Sequence, residues 1–217
     1  MKEIYFITAT NTDVGKTKAS EIFLRYLASL SKKVGYLKPI ETGVEDKPLD
    51  GDKLLTLVQV LNPDFILTLD EVVPFQFKLP AAPFVASNGK NLDIEKIFKS
   101  IDKALQYCDI LIIEGAGGLA VPINLHYFMY DLIKDINPTK TILISPSNLG
   151  SINDTLLSMY LLEQKGIKYD WYINLFKDKE LFAKTTLPFY NSFFQGNSQA
   201  TFDKIVYLQD LQKDIRI

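Results

Sequence analysis

The chain has 217 residues, of which 47% are apolar and 23% are charged, and its formal net charge is -2. This length and composition predict a single domain with one substantial core over residues 1–217. A slightly negative charge offers no extended basic field, which argues against nucleic acid as a partner. The sequence contains no run of about 18 apolar residues, so we expect a cytoplasmic protein without membrane contact.

Cys108 and His126 are the only cysteine and the only histidine in the sequence. A lone cysteine excludes internal disulfides and thiolate metal clusters, and its position beside an apolar run favours a buried thiol over a nucleophile. A lone histidine excludes a paired-histidine zinc site and favours a surface or loop position. Any chemistry must therefore come from other residue types.

Strand-like and helix-like segments alternate along the chain. The predicted strands cover residues 4–7, 34–37, 109–113, 141–144 and 169–173, and the predicted helices cover 16–30, 52–61, 92–107, 151–165 and a segment ending near 190. The apolar runs at 109–113 and 141–144 are typical of parallel strands buried on both faces. The alternation predicts an α/β fold of the P-loop NTPase type, with a doubly wound, mostly parallel sheet flanked by helices.

Two segments carry no clear periodicity. Residues 61–91 contain Pro63, Pro74, Pro80 and Pro83, which disfavour regular structure, and we expect this segment to pack on the core or to cover the substrate as a lid. Residues 191–208 are rich in polar turn residues and predict one edge strand at most.

The first predicted strand leads through a glycine-containing loop into a helix, over the sequence TATNTDVGKT at residues 8–17. This is the context of a phosphate-binding P-loop, in which Gly15 permits a tight turn and the helix start offers free N–H groups to an anion. Lys16 would reach the terminal phosphates, and the Thr17 hydroxyl would bind Mg²⁺. Thr10 stands where the usual motif has its first glycine. An ordinary capped helix with a solvated lysine is the alternative.

Three other segments follow predicted strands and therefore fall at the same edge of the sheet. Lys38 and Thr42 follow the second strand, where a solvated lysine is the alternative interpretation. Glu114 ends a buried strand before several glycines, and a carboxylate there suits a metal held on a triphosphate, whereas an exposed turn residue is the alternative. Asp52 is a weaker acidic candidate, because Asp-Gly sequences also form turns.

The last of these segments, SPSNLGSIND at residues 145–154, joins a predicted strand to a predicted helix. Free N–H groups at the start of that helix would suit a carboxylate. Helix capping explains the same residues equally well, so the residues alone leave both interpretations open.

These four segments, in this order, resemble the dethiobiotin synthetase family. The loop of that family resembles GTDTxVGKT, and residues 9–17 read ATNTDVGKT, with Ala9 in place of the first glycine. The resemblance continues through GYLKP at 35–39, EGAGG at 114–118 and LGSIN at 149–153, which together cover about the first three quarters of the chain.

The resemblance implies an ATP-dependent ligase that works as a homodimer with Mg²⁺ as its cofactor and with ATP as co-substrate. Such an enzyme converts 7,8-diaminopelargonic acid, CO2 and ATP to dethiobiotin, ADP and phosphate. One amine of the substrate takes up CO2 as a carbamate, and the γ-phosphoryl group of ATP is transferred to a carbamate oxygen. The second amine then closes the five-membered urea ring.

The same resemblance assigns roles position by position. The catalytic residues would be Lys16, Lys38 and Thr12, and the Mg²⁺ ligands would be Thr17, Asp52 and Glu114. The nucleotide would contact Asp13, Val14, Gly15, Lys16, Thr17, Lys18, Asp52, Glu114, Gly115, Ala116, Gly117 and Asn174, with Asn174 at the adenine. The diamine would contact Thr12, Lys38, Thr42, Gly117 and Gly118, and its carboxylate would contact Gly150, Ser151, Ile152 and Asn153 of the partner subunit.

The sequence departs from the family pattern at several positions. Asp13 stands where glutamate is common, Asn148 where lysine is frequent, and Asp154 where histidine occurs. Residues 175–178, LFKD, differ from those that usually follow the adenine-contacting asparagine, and no later G-x-I-P-like segment is found. The departures at Asp13, Asn148 and Asp154 remove no core role, whereas the two departures in the base pocket predict weak binding of ATP or little discrimination among bases.

Two alternative functions are consistent with a P-loop. A partitioning or cell-division ATPase of the deviant Walker type has a lysine five residues before the P-loop lysine, where this chain has Asn11. That class also often carries a basic amphipathic C-terminal helix, whereas residues 208–217 are short and mixed in charge. A non-catalytic nucleotide-binding module would not need Lys38 and Thr42.

Overall fold

Strands and helices alternate through residues 2–176, 179–195 and 206–213, which a computed structural model describes. The strands are β1 (Glu3–Ala9), β2 (Val34–Leu37), β3 (Ile40–Thr42), β4 (Phe75–Phe77), β5 (Ile110–Glu114), β6 (Pro122–Asn124), β7 (Tyr127–Phe128), β8 (Lys140–Pro146) and β9 (Asp170–Asn174). The helices are α1 (Lys16–Ser29), α2 (Leu49–Leu61), α3 (Leu69–Val72), α4 (Pro83–Ala86), α5 (Ile94–Ala104), α6 (Met129–Ile136), α7 (Ser151–Gln164), α8 (Lys179–Thr185), α9 (Leu187–Gln195) and α10 (Leu208–Lys213). Within those residue ranges, no helix has both the length and the apolar character needed to cross a bilayer.

Five strands form one parallel sheet in the order β2-β5-β1-β8-β9. β1 lies at the centre, where Ile7 pairs with Glu114 of β5 and Thr8 pairs with Leu143 of β8. Every residue of β5 is buried, as expected of a parallel strand whose two faces are both covered. The predicted doubly wound α/β fold is confirmed. The chain first builds the sheet on one side of β1 and then on the other, and such a switch point is where these sheets bind ligands.

Helix α1 is held against the sheet by a continuous apolar stripe. Ala19, Phe23 and Leu27 recur every four residues and are buried. The ring of Phe23 meets that of Tyr172 in β9 edge to face, with centroids 5.4 Å apart. This packing fixes the helix so that its first residues face the carboxyl ends of the strands.

Several short elements were missed in the sequence. The segment 61–91 contains α3, β4 and α4, and β4 pairs in parallel with β3 through Ile40 and Phe75. The strands β6 and β7 were also missed, because strands of two or three residues are too short to show a periodicity. The helix α6, of eight residues, was missed as well. The assignment of 61–91 as a lid stays a prediction.

The region after β9 differs from its prediction. Two helices, α8 and α9, replace the single predicted helix, and α9 continues to Gln195, so residues 191–195 are helical rather than turn-like. Pro188 explains the break, because proline is tolerated in the first turn of a helix and not in its interior.

Of the edge strand predicted near the C-terminus, the described residues show one bridge. Tyr207 forms an isolated parallel bridge with Ile173 of β9 and is followed directly by α10. Residues 196–205, which make up most of the segment in question, lie outside the described residues. The same holds for Lys177 and Asp178 of the departure that follows Asn174.

The predictions for the lone cysteine and the lone histidine are confirmed. Cys108 is 1% exposed, and its thiol donates to the carbonyl of Ala104 at 3.3 Å. Burial raises the pKa of the Cys108 thiol to about 12, so it is not a nucleophile near neutral pH. His126 is exposed in the turn between β6 and β7.

Candidate active site

A cavity of about 380 Å³ lies at the carboxyl ends of β1, β2 and β5, and we call it the P-loop cavity. Its lining comes from the P-loop, from the segment after β2, from α2 and from the loop after β5: Thr12, Asp13, Gly15, Lys16, Thr17, Lys38, Ile40, Glu41, Thr42, Asp50, Glu114, Ala116 and Gly117. The parallel sheet therefore brings together three of the four segments that the sequence singled out.

The P-loop has an ordinary backbone at Thr10 and Ala9, the two positions at which the usual motif and the resembling pattern have their first glycine. Ala9 ends β1, is fully buried and does not have a positive φ, so glycine is not required there. The tight turn comes later, where Asp13 and Gly15 have φ values of 58° and 104°. The absence of the first glycine therefore causes no backbone strain.

Lys16 lies along the inside of the loop. Its side chain is largely buried, and its amino group donates to the carbonyl of Asn11 at 3.0 Å. Burial lowers the pKa of Lys16 to about 8; the Glu114 carboxylate opposes this shift, and the Lys38 cation adds to it. An anion bound in the loop would raise the pKa of Lys16 again, because it stabilises the ammonium form. The lysine is thus placed to contact a phosphate group.

Glu114 is fully buried at the end of β5 and accepts hydrogen bonds from two neighbouring elements and from Lys38. Thr17 and Ser20 of α1 donate to it at 2.9 and 2.8 Å. Tyr36 of β2 and Lys38 donate at 3.1 and 2.6 Å. These donors replace the water that the carboxylate loses on burial. An exposed turn residue, the alternative drawn from the sequence, is excluded.

The ammonium group of Lys38 lies between two carboxylates. It is 2.6 Å from Glu114 and 3.0 Å from Asp50, and only 5% of the residue is exposed. Burial by itself would lower the pKa of Lys38, but Glu114 and Asp50 together outweigh burial and hold that pKa above its usual range. Lys38 is therefore a cation across the physiological pH range, and a solvated lysine is excluded.

Asp50 and Asp52 lie two residues apart on α2 and consequently face different directions. Asp50 lines the P-loop cavity; burial raises its pKa, but Lys38 outweighs this and lowers the pKa below its usual value. Asp52 does not belong to that lining and pairs with Lys47 at 2.5 Å. The assignment of Asp52 as a metal ligand stays a prediction, and the geometry favours Asp50.

Glu41 of β3 holds the first turn of α2 in place. Its two oxygens accept the backbone N–H groups of Asp50 and Gly51, each at 3.0 Å. These N–H groups belong to the four that a helix leaves free at its start. Glu41 and Asp50 are the site residues that the sequence analysis missed. The Asp-Gly-Asp pattern signals a carboxylate without showing which of the two is used, and Glu41 has no local signal.

Oxygen atoms suited to magnesium converge at the P-loop cavity. The Thr17 hydroxyl is 2.9 Å from Glu114, and both Glu114 and Asp50 are within 3.0 Å of the Lys38 ammonium group. Hydroxyl and carboxylate oxygens are the protein ligands with which Mg²⁺ is held beside nucleotide phosphates. Thr17, Glu114 and Asp50 are therefore the residues at this cavity whose oxygens could hold a magnesium ion.

A second cavity, of about 510 Å³, adjoins the first, because Asp13 and Gly15 line both. We call it the adjoining cavity; the rest of its lining is Val14, Lys18, Pro146, Ser147, Asn148, Asn174 and Phe176. Asn174 donates to the carbonyl of Val14 at 3.0 Å. A Cβ atom on Gly15 would lie 2.3 Å from the Asn174 amide nitrogen, so glycine is needed there for this contact as well.

The remaining predicted residues lie outside the linings of these cavities. The N–H of Gly115 donates to the carbonyl of Ile7 at 3.0 Å, and a Cβ atom on Gly118 would lie 2.9 Å from the carbonyl of Thr10. A Cβ atom on Gly115 would also lie 3.1 Å from the ring of Phe6, so both glycines stand in close contact with β1 or the P-loop. Residues 150–153 begin α7 and line neither cavity, so their role in a partner's site stays a prediction.

The sequence is similar to a family model and to several proteins of one name. Residues 3–170 match a family model described as an AAA domain. The ATP-dependent dethiobiotin synthetase BioD of Sulfurovum sp. is 45% identical over 190 residues, covering 87% of this chain and 90% of that protein. Proteins of the same name from Wolinella succinogenes and a strain of Helicobacter pylori are 36% and 33% identical, covering 85% and 96% of this chain and 87% and 96% of their own lengths.

Solved structures show the fold at low sequence identity. A plasmid partition protein from Borrelia burgdorferi superposes with a TM-score of 0.55 at 13% identity, covering 99% of this chain and 96% of its own. A putative plasmid partition protein of that organism, bound to AMPPNP, superposes with a TM-score of 0.51 at 14% identity, covering 98% and 96%. Similarity at this level concerns the fold alone.

Proposed function

The chain belongs to the dethiobiotin synthetase family, and from this premise we propose that it forms dethiobiotin from 7,8-diaminopelargonic acid, CO2 and ATP. The other products are ADP and phosphate. The observation that carries this proposal is Lys38, a second buried cation beside the P-loop lysine. A module that only bound a nucleotide would have no use for it.

The P-loop binds the phosphates in this proposal. Gly15, Lys16 and Thr17 line the cavity at the start of α1, where a helix has free N–H groups and its positive dipole end, and Lys16 contacts the γ-phosphoryl group as that group is transferred. Lys16 is buried, so its attraction for the phosphoryl group is less screened by water than that of a surface lysine. The loop therefore stabilises charge that develops during transfer.

Lys38 binds the carbamate. The carbamate is an anion, and the ammonium group of Lys38, which lines the cavity, stays protonated because Glu114 and Asp50 surround it. Thr12 and Thr42 line the same cavity and provide hydroxyl groups for the diamine or the carbamate. Positioning the carbamate oxygen against the γ-phosphoryl group lowers the barrier by orientation as well as by charge.

Thr17, Glu114 and Asp50 would hold Mg²⁺, with Asp52 as the ligand expected from the sequence. The ion, when bound, neutralises negative charge on the phosphate oxygens. Glu114 and Asp50 also neutralise Lys38, so each of these carboxylates has two partners to satisfy.

The surface of α7 supports a homodimer. Leu157 and Tyr160 are neighbours on the surface of this helix and are 60% and 52% exposed, and Leu149 just before the helix is 70% exposed. Exposed apolar side chains of this kind mark protein interfaces. Such a dimer would carry residues 150–153 towards the partner's site, where their N–H groups would bind the substrate carboxylate. Because ATP is the co-substrate, we place the reaction in the cytoplasm.

The test is a product assay with purified protein. We would measure phosphate release and dethiobiotin, by mass spectrometry, with Mg-ATP, bicarbonate and 7,8-diaminopelargonic acid, and would omit each component in turn. We expect both products only when all components are present. Lys38→Met should lower kcat by about 100-fold, because a charge that stabilises the transferring group is lost.

Lys99→Met is the matched control, because Lys99 is exposed on α5 and lies outside both cavities. It should behave as the unchanged protein. Phosphate release that does not depend on the diamine would contradict the proposal and favour a partitioning or cell-division ATPase of the deviant Walker type. Nucleotide binding without any phosphate release would favour a silent nucleotide-binding module.

A further inference from the structure

Three hydrogen bonds in series hold Asn174 at the edge of the adjoining cavity. The backbone N–H of Leu175 donates to Oε1 of Gln209 at 3.0 Å, and Nε2 of Gln209 donates to Oδ1 of Asn174 at 2.8 Å. Nδ2 of Asn174 then donates to the carbonyl of Val14 in the P-loop at 3.0 Å. The series connects α10, the end of β9 and the P-loop.

The backbone groups at its two ends determine the direction of this series. The N–H of Leu175 can only donate, so Gln209 must present its oxygen there and its nitrogen towards Asn174. The carbonyl of Val14 can only accept, so Asn174 must present its nitrogen there. Turning either amide over would oppose two acceptors or two donors. Gln209 and the Val14 carbonyl therefore require the same orientation of the Asn174 amide, and Gln209 is the side chain that holds its oxygen end.

Asn174 keeps one N–H and one oxygen lone pair beyond this series, and its side chain lines the cavity that adjoins the P-loop. Phe176, 70% exposed, lines the same cavity and offers a flat ring for stacking. An asparagine amide matches the N6 donor and N7 acceptor of adenine, whereas guanine presents two acceptors, O6 and N7, at the same edge. A fixed amide therefore leaves one guanine acceptor facing the Asn174 oxygen.

We propose that Gln209 is a positioning residue that fixes the Asn174 amide and thereby makes the adjoining cavity select adenine over guanine. This inference rests on the proposed function, since it takes the P-loop to bind a nucleoside phosphate. The inference predicts that the protein discriminates between bases. The departures of the sequence from the family pattern had instead predicted weak binding of ATP or little discrimination. The inference also identifies a contact between Asn174 and the C-terminal part of the chain, because Gln209 lies on α10.

The experiment measures the binding of MgADP and of MgGDP by calorimetry, without the diamine. The unchanged protein should bind ADP at least about tenfold more tightly than GDP. Gln209→Glu keeps the size of the side chain and its bond to the Leu175 N–H, but cannot donate to Asn174. Gln209→Met removes both bonds. Each should reduce the ratio of the two affinities by roughly tenfold, chiefly through weaker ADP binding.

Gln106→Met is the control, because Gln106 is exposed on the chain before β5 and lies outside both cavities. A purely structural role of Gln209 would weaken ADP and GDP equally and leave their ratio unchanged, which would overturn the inference. Equal binding of the two nucleotides by the unchanged protein would overturn it without any variant. If ADP is preferred but no dethiobiotin forms, the proposed function fails while this inference stands. If dethiobiotin forms but ADP and GDP bind equally, this inference fails while the proposed function stands.

Discussion

The contacts of Lys38 with Glu114 and Asp50 contribute both to the stability of the fold and to the proposed reaction. Glu114 is fully buried, and its contact with Lys38 is among the shortest at the site. Removing one partner of a buried ion pair leaves the other charge uncompensated, which costs more than the pair itself contributes. A loss of activity at Lys38 must therefore be separated from a loss of stability.

We expect Lys38→Met to lower the free energy of unfolding by about 3 kcal/mol, because Glu114 is left unpaired. Urea unfolding followed by circular dichroism measures this loss. The double variant Lys38→Met with Glu114→Gln should recover part of the lost free energy, since the buried negative charge is also removed. If the losses of the two single variants simply add in the double variant, the two side chains are not coupled in this way.

Lys16 predicts a pH dependence of ATP use. Its pKa of about 8 in the free enzyme means that the ammonium form, which attracts phosphate, predominates below pH 8 and is lost as the pH rises above it. Lys38 stays protonated over this range, because its pKa is raised. We expect kcat/KM for ATP to be level below pH 8 and to fall by up to about tenfold per pH unit above it.

The pH profile of initial rates between pH 6.5 and about 9.5 measures this dependence. In Lys16→Met the overall kcat/KM should be lower and the decline above pH 8 should disappear, since the titrating group is gone. A profile with the same decline in that variant would assign the titration to another group.

At the scale of the element, the first turn of α2 decides which carboxylate enters the cavity. The sequence predicted a helix from 52, whereas α2 begins at Leu49. The earlier start places Asp50 within the first turn, where Glu41 accepts its N–H and Lys38 contacts its carboxylate. Periodicity in the sequence indicates that a helix is present, but its first turn depends on Glu41, which a separate strand supplies.

We therefore predict different outcomes for two matched variants of α2. Asp50→Asn should raise the magnesium concentration that gives half-maximal activity and lower kcat by at least about tenfold, because a carboxylate beside the phosphates is lost. Asp52→Asn should change both by less than about twofold, since Asp52 pairs with Lys47 outside the cavity. Magnesium titrations of activity compare the two. A larger effect of Asp52→Asn than of Asp50→Asn would support Asp52, the residue expected from the sequence, as the magnesium ligand.

At the scale of the whole molecule, the exposed apolar face of α7 predicts self-association. Leu157→Lys should shift the protein towards monomer, with the dimer dissociation constant raised at least about tenfold, because a desolvated charge is unfavourable in an apolar interface. Sedimentation velocity over a range of concentrations measures this shift. Val60→Lys is the matched control, because Val60 is 74% exposed on α2. A monomer at all concentrations for the unchanged protein would contradict the dimer.

Cys108 provides a measure of global unfolding. It lies between Gly35 and the end of α5, is 1% exposed, and has its thiol pKa raised to about 12 by burial. At pH 8 we expect alkylation of the native protein by iodoacetamide to be slower than that of the urea-unfolded protein by at least about 100-fold. Mass spectrometry of timed samples measures both rates. Comparable rates would mean that the core around β5 opens locally.

The sequence by itself determined the parallel sheet, the P-loop and the edge at which Lys16, Lys38 and Glu114 meet. Buried apolar runs and a strand-loop-helix motif are local patterns, and the order of parallel strands then places their carboxyl ends together. Only the tertiary structure decided that Asp50 rather than Asp52 faces Lys38, and that Gln209 holds Asn174. Both depend on hydrogen bonds between elements far apart in the chain, whose direction and distance no local periodicity encodes.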